Sequence, residues 1–196
     1  GCGAFDFVAA VSIPDEEKKA HFIERTEKWA KLFNYGTLPF YWGGFEKEEG
    51  KPNTENLKKA ALLLKDFNAT VKGHPLCWHT GCAEWLLKYD NKTILEKQLA
   101  RIYRDVGEFK GLIDMWDVIN EVVIMPIYDK YDNAITRLCK EHGRIGLCKK
   151  VFDAAKNCNP DGTFLINDFN LSTSYEILID GLLQSGVPIT AIGLQS

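Results

Sequence analysis

The chain has 196 residues, of which 45% are hydrophobic and 26% charged, a composition typical of a globular protein with a sizeable core and not of disorder, collagen or a coiled coil. The formal net charge is −3, with Lys and Arg scattered among Asp and Glu, so no nucleic-acid surface is indicated. No apolar run approaches the roughly 18 residues that suggest a membrane span, and the N-terminus does not resemble a signal peptide.

Short β-rich runs alternate with amphipathic helical patterns along the whole chain, as in a parallel sheet with crossover helices. The runs predict strands over residues 4–11, 35–42, 70–79, 113–123, 163–170 and 189–195. The helical periodicities predict helices over 15–32, 54–67, 92–106, 134–157 and 175–184, with a break near Gly143 in the fourth. Thr54 is the expected N-cap of the second helix, and Ser172 or Thr173 that of the last.

Two architectures fit these units, which show no linker and therefore read as one domain over 1–196. A doubly wound open sheet would be complete with six strands, whereas a (β/α)8 TIM barrel would be covered only over about strands 1 to 6. No strand is followed by a G-x-G-x-x-G phosphate-binding turn, which disfavours the open sheet.

The cysteines predict neither a metal nor a redox site, because no two of them form a C-x-x-C pair. A chain of this length does not need disulfide staples, so free thiols are favoured over a disulfide framework. The six are Cys2, Cys77, Cys82, Cys139, Cys148 and Cys158.

Polar and aromatic residues recur at the carboxyl ends of the predicted strands, where barrel enzymes keep their active sites. Glu121 is the most informative, because an ionisable group in a buried strand costs several kcal/mol unless it is paired or wet. A structural salt bridge inside the sheet is the alternative, and a catalytic role is favoured over it.

Four ordered motifs carry a resemblance to a known family. Residues 116–121 read W-D-V-I-N-E and resemble the strand-four signature of glycoside hydrolase family 10, the retaining endo-xylanase family. Residues 73–79, G-H-P-L-C-W-H, resemble its strand-three segment, with Trp85 at the expected distance after His79. Residues 165–170 and 192–196 resemble its strand-five and strand-six segments.

The resemblance implies a (β/α)8 barrel, truncated here at both ends, that cleaves xylan with two glutamates and without metal or cofactor. Glu121 matches the family's general acid/base, and Asn120 matches the amide that bonds the sugar 2-hydroxyl. Four further residues are then expected to line the sugar site: His79, Gln195, Trp78 and Trp85.

The resemblance also implies the partners. We expect a polysaccharide or oligosaccharide substrate, no nucleic acid, no membrane, and a monomer. Secretion is implied by the family alone, and the compartment stays undetermined by the residues themselves.

One departure from the family lies at the end of strand two. The family's N-E-x-K-W run is replaced by L-P-F-Y-W over 38–42, which puts Leu38 at the Asn position and Tyr41 at the Lys position. Trp42, Glu46 and Gly50 support this register. The loss of two hydrogen-bonding groups predicts a more aromatic glycone site around Tyr41, with another β-glycan as the alternative substrate to xylan.

A second departure concerns the nucleophile, which the family carries on strand seven. We expect that glutamate beyond Ser196, and we therefore expect this chain alone to be inactive. A carbohydrate-binding pseudoenzyme is the first rival reading. A phosphate-using barrel enzyme is the second, and the lack of Lys at the strand ends disfavours it.

Several other residues carry expectations of a structural role. His74 is expected to be structural, and Trp42 and Trp116 are expected to pack in the core at least as readily as to bind ligand. Glu46, Glu48 and Glu49 are expected to form a solvated acidic loop. Two roles are equally favoured for Asn167, Asp168 and Asn170: they end a strand and cap the next helix, or they take part in function.

Overall fold

The computed structural model describes residues 2–195 and contains one parallel sheet of six strands in the order of the chain. Each strand pairs with its chain neighbour, whereas a doubly wound sheet reverses its strand order at a switch point. The predicted partial (β/α)8 barrel is therefore confirmed. The strands are β1 Cys2–Gly3, β2 Tyr35–Pro39, β3 Thr70–His74, β4 Met115–Asn120, β5 Thr163–Asp168 and β6 Ala191–Leu194.

Helices connect consecutive strands. α6 departs from helical geometry at Gly143, whose φ of 69° confirms the predicted break. Short 3-10 turns cover Glu84–Lys88 and Met125–Ile127. The helices are α1 Phe5–Ser12, α2 Glu16–Ala30, α3 Trp42–Phe45, α4 Thr54–Asp66, α5 Asn91–Glu108, α6 Ala134–Cys158 and α7 Thr173–Gln184.

The predicted first strand over 4–11 is wrong, because these residues form helix α1 and the strand is Cys2–Gly3. A short apolar run cannot be assigned to strand or helix by periodicity alone. Tertiary packing decides between them here: Phe7 and Ala10, one helical turn apart, are the buried residues of α1, and Phe7 packs edge-on against Trp29 of α2.

The other strands are confirmed but end earlier than predicted. β3 ends at His74 because Pro75 has no backbone N–H to continue the ladder, although Cys77 still forms an isolated parallel bridge to Ile119. β2 ends at Pro39, and the predicted strand residue Trp42 instead begins α3.

The expected N-cap is confirmed for helix α7 and wrong for helix α4. The N-cap of α7 is Ser172, whose hydroxyl accepts from the Ser174 N–H at 3.3 Å. The N-cap position of α4 is Asn53 and not Thr54, and its side chain makes no capping hydrogen bond.

The main core lies between the sheet and the helices, and Trp116 is its largest fully buried side chain. A Cβ on Gly73, its register partner in β3, would come within 2.2 Å of the Trp116 ring, so only glycine fits there. The ring also packs edge-on against Phe40 and Phe109. The predicted core positions of Trp116 and Trp42 are both buried as expected.

All six cysteines lie in the described part of the chain and all are free thiols, as predicted. Burial raises the pKa of the Cys82 thiol to about 11, so it stays protonated. No helix within residues 2–195 is long and apolar enough to cross a bilayer. The same residues hold no group of three or more His, Cys, Asp and Glu side chains arranged to bind a metal ion.

Candidate active site

The register of β4, β5 and β6 brings three side-chain amides together. A bulge between Asp117 and Ile119 shifts β4 by one residue, so that Asn120 pairs with Asn167. The amide of Asn120 lies 2.7 Å from the amide nitrogen of Asn167 and 2.8 Å from that of Gln195. A Cβ on Gly193 would come within 2.3 Å of the Asn167 amide oxygen, so glycine makes room for this cluster.

Glu121 follows β4 directly and has an unusual backbone. Its φ of 55° lies in the left-handed region, which non-glycine residues occupy mostly where the surrounding structure holds them. Its N–H donates to the Asn167 carbonyl at 2.8 Å. The Trp78 indole N–H donates to its carboxylate at 2.9 Å, and 15% of the side chain stays exposed. The carboxylate is therefore fixed in direction and still accessible.

His79 stands on the other side of that carboxylate. Its Nε2 is 3.9 Å from the Glu121 carboxylate, and its ring packs on Tyr128 with centroids 4.3 Å apart. Burial lowers the pKa of His79 to about 4, so the ring is neutral at neutral pH. Its Nδ1 is buried without a hydrogen-bond partner among the described residues.

An aromatic wall adjoins Glu121, and it consists of Tyr41, His74 and Trp78. The ring centroid of Tyr41 lies 5.7 Å from that of His74 and 5.7 Å from that of Trp78. Burial, with the nearby carboxylates of Asp117 and Glu121, raises the pKa of Tyr41, so its hydroxyl stays protonated.

A buried charge cluster lies beneath this wall. Asp117 on β4 accepts from Lys72 Nζ and contacts His74 Nδ1, each at 2.6 Å. The expected structural role of His74 is consistent with this contact, yet its ring also faces Tyr41. Sequence reasoning missed the cluster. Its signal was the alternation of side chains along each strand, which places Lys72 and His74 on one face of β3 and Asp117 two residues after Met115, the register partner of Lys72.

The expected solvated acidic loop is wrong for Glu46, which is only 3% exposed. Its carboxylate accepts from the Trp42 indole N–H at 2.9 Å and the Gly50 N–H at 2.8 Å, and pairs with Arg104 at 2.9 Å. Burial alone would raise the pKa of Glu46, but these contacts outweigh it and the pKa is lowered. Glu48 is exposed, as expected.

The same ion network extends to the ends of β2 and β3. Arg104 pairs with Asp105 at 2.8 Å, and Asp105 pairs with the buried Arg101 at 3.1 Å. Arg101 donates in turn to the Leu76 carbonyl at 2.7 Å and to the Phe40 carbonyl. The network therefore ties α5 to the two segments that lead to Tyr41 and Trp78.

Three further residues singled out from the sequence have structural contacts in the fold. Trp85 packs edge-on against Trp42 and donates to the Glu46 carbonyl at 2.9 Å, so its contacts join the ion network and not the Glu121 carboxylate. Leu38 is fully buried in the core. Asp168 accepts from the backbone N–H groups of Val123 and Asn170, which favours the structural reading of this residue.

This arrangement suits one kind of chemistry. A single accessible carboxylate, flanked by an indole donor and a neutral imidazole, can exchange a proton with a bound molecule. The neighbouring amides and aromatic faces are the groups that bind sugar hydroxyls and C–H faces.

Comparison with known proteins decides the family. The sequence model described as glycosyl hydrolase family 10 matches residues 18–196. The chain belongs to this family.

The curated relatives of this family member include proteins named as xylanases. Endo-1,4-beta-xylanase B of Thermotoga neapolitana is 28% identical, over 94% of this chain and 53% of its own length. The chain spans about half the length of the curated relatives it matches.

Solved structures of the family share the fold. The structure of GH10 from Paenibacillus barcinonensis superposes with a TM-score of 0.77 at 24% identity, over 99% of this chain and 59% of that one. Xylanase 10B from Thermotoga petrophila, solved in complex with xylobiose, superposes with a TM-score of 0.76 at 25% identity, over 95% of this chain and 57% of that one.

Proposed function

We propose that this chain carries the acid/base half of a retaining, endo-acting glycoside hydrolase that cleaves a β-1,4-linked plant cell-wall polysaccharide, above all xylan. The observation that carries the proposal is the Glu121 carboxylate, accessible at the end of β4 and held by Trp78 beside the Asn120 amide. The names of the family relatives, which are xylanases, support the choice of substrate.

The proposed reaction gives Glu121 two roles. It first donates a proton to the leaving glycosidic oxygen, while a second carboxylate attacks the sugar carbon and forms a covalent glycosyl-enzyme. Glu121, now ionised, then takes a proton from the water that releases the sugar, which restores both carboxyl groups. A neutral His79 leaves Glu121 without a competing positive charge at this point.

The second carboxylate must lie about 5 to 5.5 Å from the first. Two other buried carboxylates stand near the site, and both are engaged: Asp117 with Lys72 and His74, and Asp168 with backbone N–H groups. We therefore place the nucleophilic glutamate outside the 196-residue sequence, and we expect this chain by itself not to hydrolyse glycosides.

The sugar-binding roles belong to the same proposal. Asn120 binds the 2-hydroxyl of the sugar beside the scissile bond, and Gln195 and His79 line that position. Trp78 and Tyr41 present aromatic faces to the glycone. Trp85 acts through its edge-on contact with Trp42, the residue after Tyr41, and so positions the glycone site. The protein acts as a monomer on polysaccharide or oligosaccharide.

A specific observation favours a second candidate, a carbohydrate-binding pseudoenzyme or a hydrolase of another β-glycan. The position at which the family carries a hydrogen-bonding Asn is occupied here by Leu38, whose side chain is fully buried. A site without that group discriminates less between sugars.

Two measurements test the proposal. In the full-length protein, Glu121→Ala should lower kcat on xylo-oligosaccharides by about 10²–10⁴-fold, the usual contribution of general acid/base catalysis. The loss should be much smaller on a dinitrophenyl xylobioside in the first, glycosylation step, because that leaving group needs no proton.

Three results would contradict parts of the proposal. Equal losses of the glycosylation rate on xylo-oligosaccharides and on the dinitrophenyl xylobioside would contradict the acid role of Glu121. Binding of xylan without hydrolysis by the full-length protein would favour the pseudoenzyme. Turnover by the purified 196-residue chain, above that of its Glu121→Gln variant, would contradict the placement of the nucleophile outside it.

A further inference from the structure

Three aromatic rings form a row that begins at the Glu121 carboxylate. Trp78 donates to Glu121, the ring centroid of Tyr41 lies 5.7 Å from that of Trp78, and the ring centroid of Phe5 lies 6.3 Å from that of Tyr41. The rings of Phe5 and Tyr41 are stacked, with 16° between their planes. The row therefore extends the aromatic wall of the site to helix α1.

Phe5 is held in place although 55% of it is exposed. The N–H of Ala4, which precedes it, donates to the Thr37 carbonyl of β2 at 2.9 Å. The Phe5 ring also lies so close over Gly3 that a Cβ there would come within 2.7 Å of a ring carbon. One part of the ring thus packs on the backbone and another part faces solvent.

A groove of about 260 Å³ opens beside this stack, between α1 and α4. Two of its lining side chains carry polar groups, Tyr41 with its hydroxyl and Asn53, whose side-chain oxygen already accepts from Asn56. The apolar residues of the lining include Phe5, Val8, Pro39, Phe45 and Leu57.

We infer that Phe5 and Tyr41 form a further glycone subsite, which stacks against a sugar ring of the same β-1,4-linked chain beyond the rings bound at Trp78. The inference rests on the proposed function, because continuity with the Glu121 site is what identifies the occupant. A pyranose linked through equatorial bonds presents flat C–H faces, and aromatic rings bind such faces.

The chemistry of this subsite sets its selectivity. The Tyr41 hydroxyl has no hydrogen-bond partner among the described residues and is the polar group of the stack, and it is uncharged because its pKa is raised. Stacking reads the face of a ring and not its C5 substituent. The subsite should accept a glucosyl ring as readily as a xylosyl ring.

Calorimetric titration of the full-length protein, carrying Glu121→Gln to prevent hydrolysis, with xylobiose through xylopentaose and with the matching cello-oligosaccharides tests this. We expect affinity to rise with ligand length in both series. Phe5→Ala should remove the rise and lower the affinity for the longest ligands by about three- to tenfold, while xylobiose binding stays unchanged. Phe5→Trp keeps an aromatic face and should retain the rise of affinity with ligand length. Tyr103→Ala, at an exposed aromatic residue of α5, is the control and should have no effect.

The outcomes separate this inference from the proposed function. Binding that Phe5→Ala leaves unchanged at every ligand length overturns the subsite and leaves the proposed function intact. A rise confined to the xylo-oligosaccharides overturns its lack of selectivity. No binding of any oligosaccharide overturns the subsite and contradicts the sugar-binding roles proposed for this chain.

Discussion

The Trp78 indole nitrogen donates a hydrogen bond to the Glu121 carboxylate over 2.9 Å and so joins the segment after β3 to the end of β4. The two residues are 43 positions apart in the chain. Their contact fixes the direction of a carboxylate whose backbone already has a positive φ.

Trp78→Phe keeps an aromatic face and removes the donor. A hydrogen bond to a charged group contributes about 1.5–3 kcal/mol, so we expect kcat of the full-length protein to fall by about ten- to a hundredfold. Because the face for the sugar is retained, KM should change little. Steady-state kinetics on xylotetraose measure both, and a change in KM alone would contradict the role assigned to the indole N–H.

Glu46→Gln tests the buried ion network. The substitution replaces a charged acceptor of three contacts with a neutral amide, while Arg104 keeps its pair with Asp105. We expect the free energy of unfolding to fall by about 1.5–3 kcal/mol, the contribution of hydrogen bonds to a charged group. Glu48→Gln, in the same loop and exposed, should change the free energy of unfolding by less than about 0.5 kcal/mol. Urea denaturation of both variants gives the comparison, and equal effects would place Glu46 in solvent.

His79 makes the stability of the fold depend on pH. The folded-state pKa of about 4 lies below the ordinary value of 6.5, so between these values the unfolded chain takes up a proton that the folded chain does not. Stability should therefore fall as the pH drops from about 6.5 to 4.

The size of this effect can be measured with His79→Gln. Between pH 7 and pH 5 the uptake of a proton by His79 in the unfolded chain lowers the free energy of unfolding by about 2 kcal/mol. His79→Gln should reduce the difference in unfolding free energy between these pH values by that amount. His21→Gln, on the exposed surface of α2, is the control. An unchanged difference in the His79 variant would show that the ring is protonated in the folded state.

Gly193→Ala tests the amide cluster without touching a sugar-binding side chain. The added methyl group would meet the Asn167 amide and push it away from Asn120. We expect the affinity of the chain for xylotriose to fall by about tenfold, comparable to the loss of one hydrogen bond to a positioned amide. Gly44→Ala, where a Cβ meets nothing within 4 Å, should leave it unchanged. Calorimetry on both variants checks this, and equal affinities would contradict the positioning role of Asn167.

Much of the fold could be predicted from local pattern. The alternation of strands and helices, the break at Gly143 and the free cysteines were all confirmed. The first strand was wrong, because a short apolar run fits a strand and a helix equally well and only the packing of Phe7 on Trp29 distinguishes them. The expectation that Glu46 is solvated was wrong for a similar reason. One of its three partners is Arg104, which is 58 positions away and follows no local periodicity.

The sequence by itself determined the family, the partial barrel and the position of Glu121, because ordered motifs and hydrophobic periodicity are local properties. The tertiary structure decided which side chains surround that carboxylate. The bulge in β4 set the partners of Asn120, burial made His79 neutral, and the approach of α1 to β2 placed Phe5 against Tyr41. These relationships depend on distances between segments far apart in the chain, and such distances exist only once the sheet has formed.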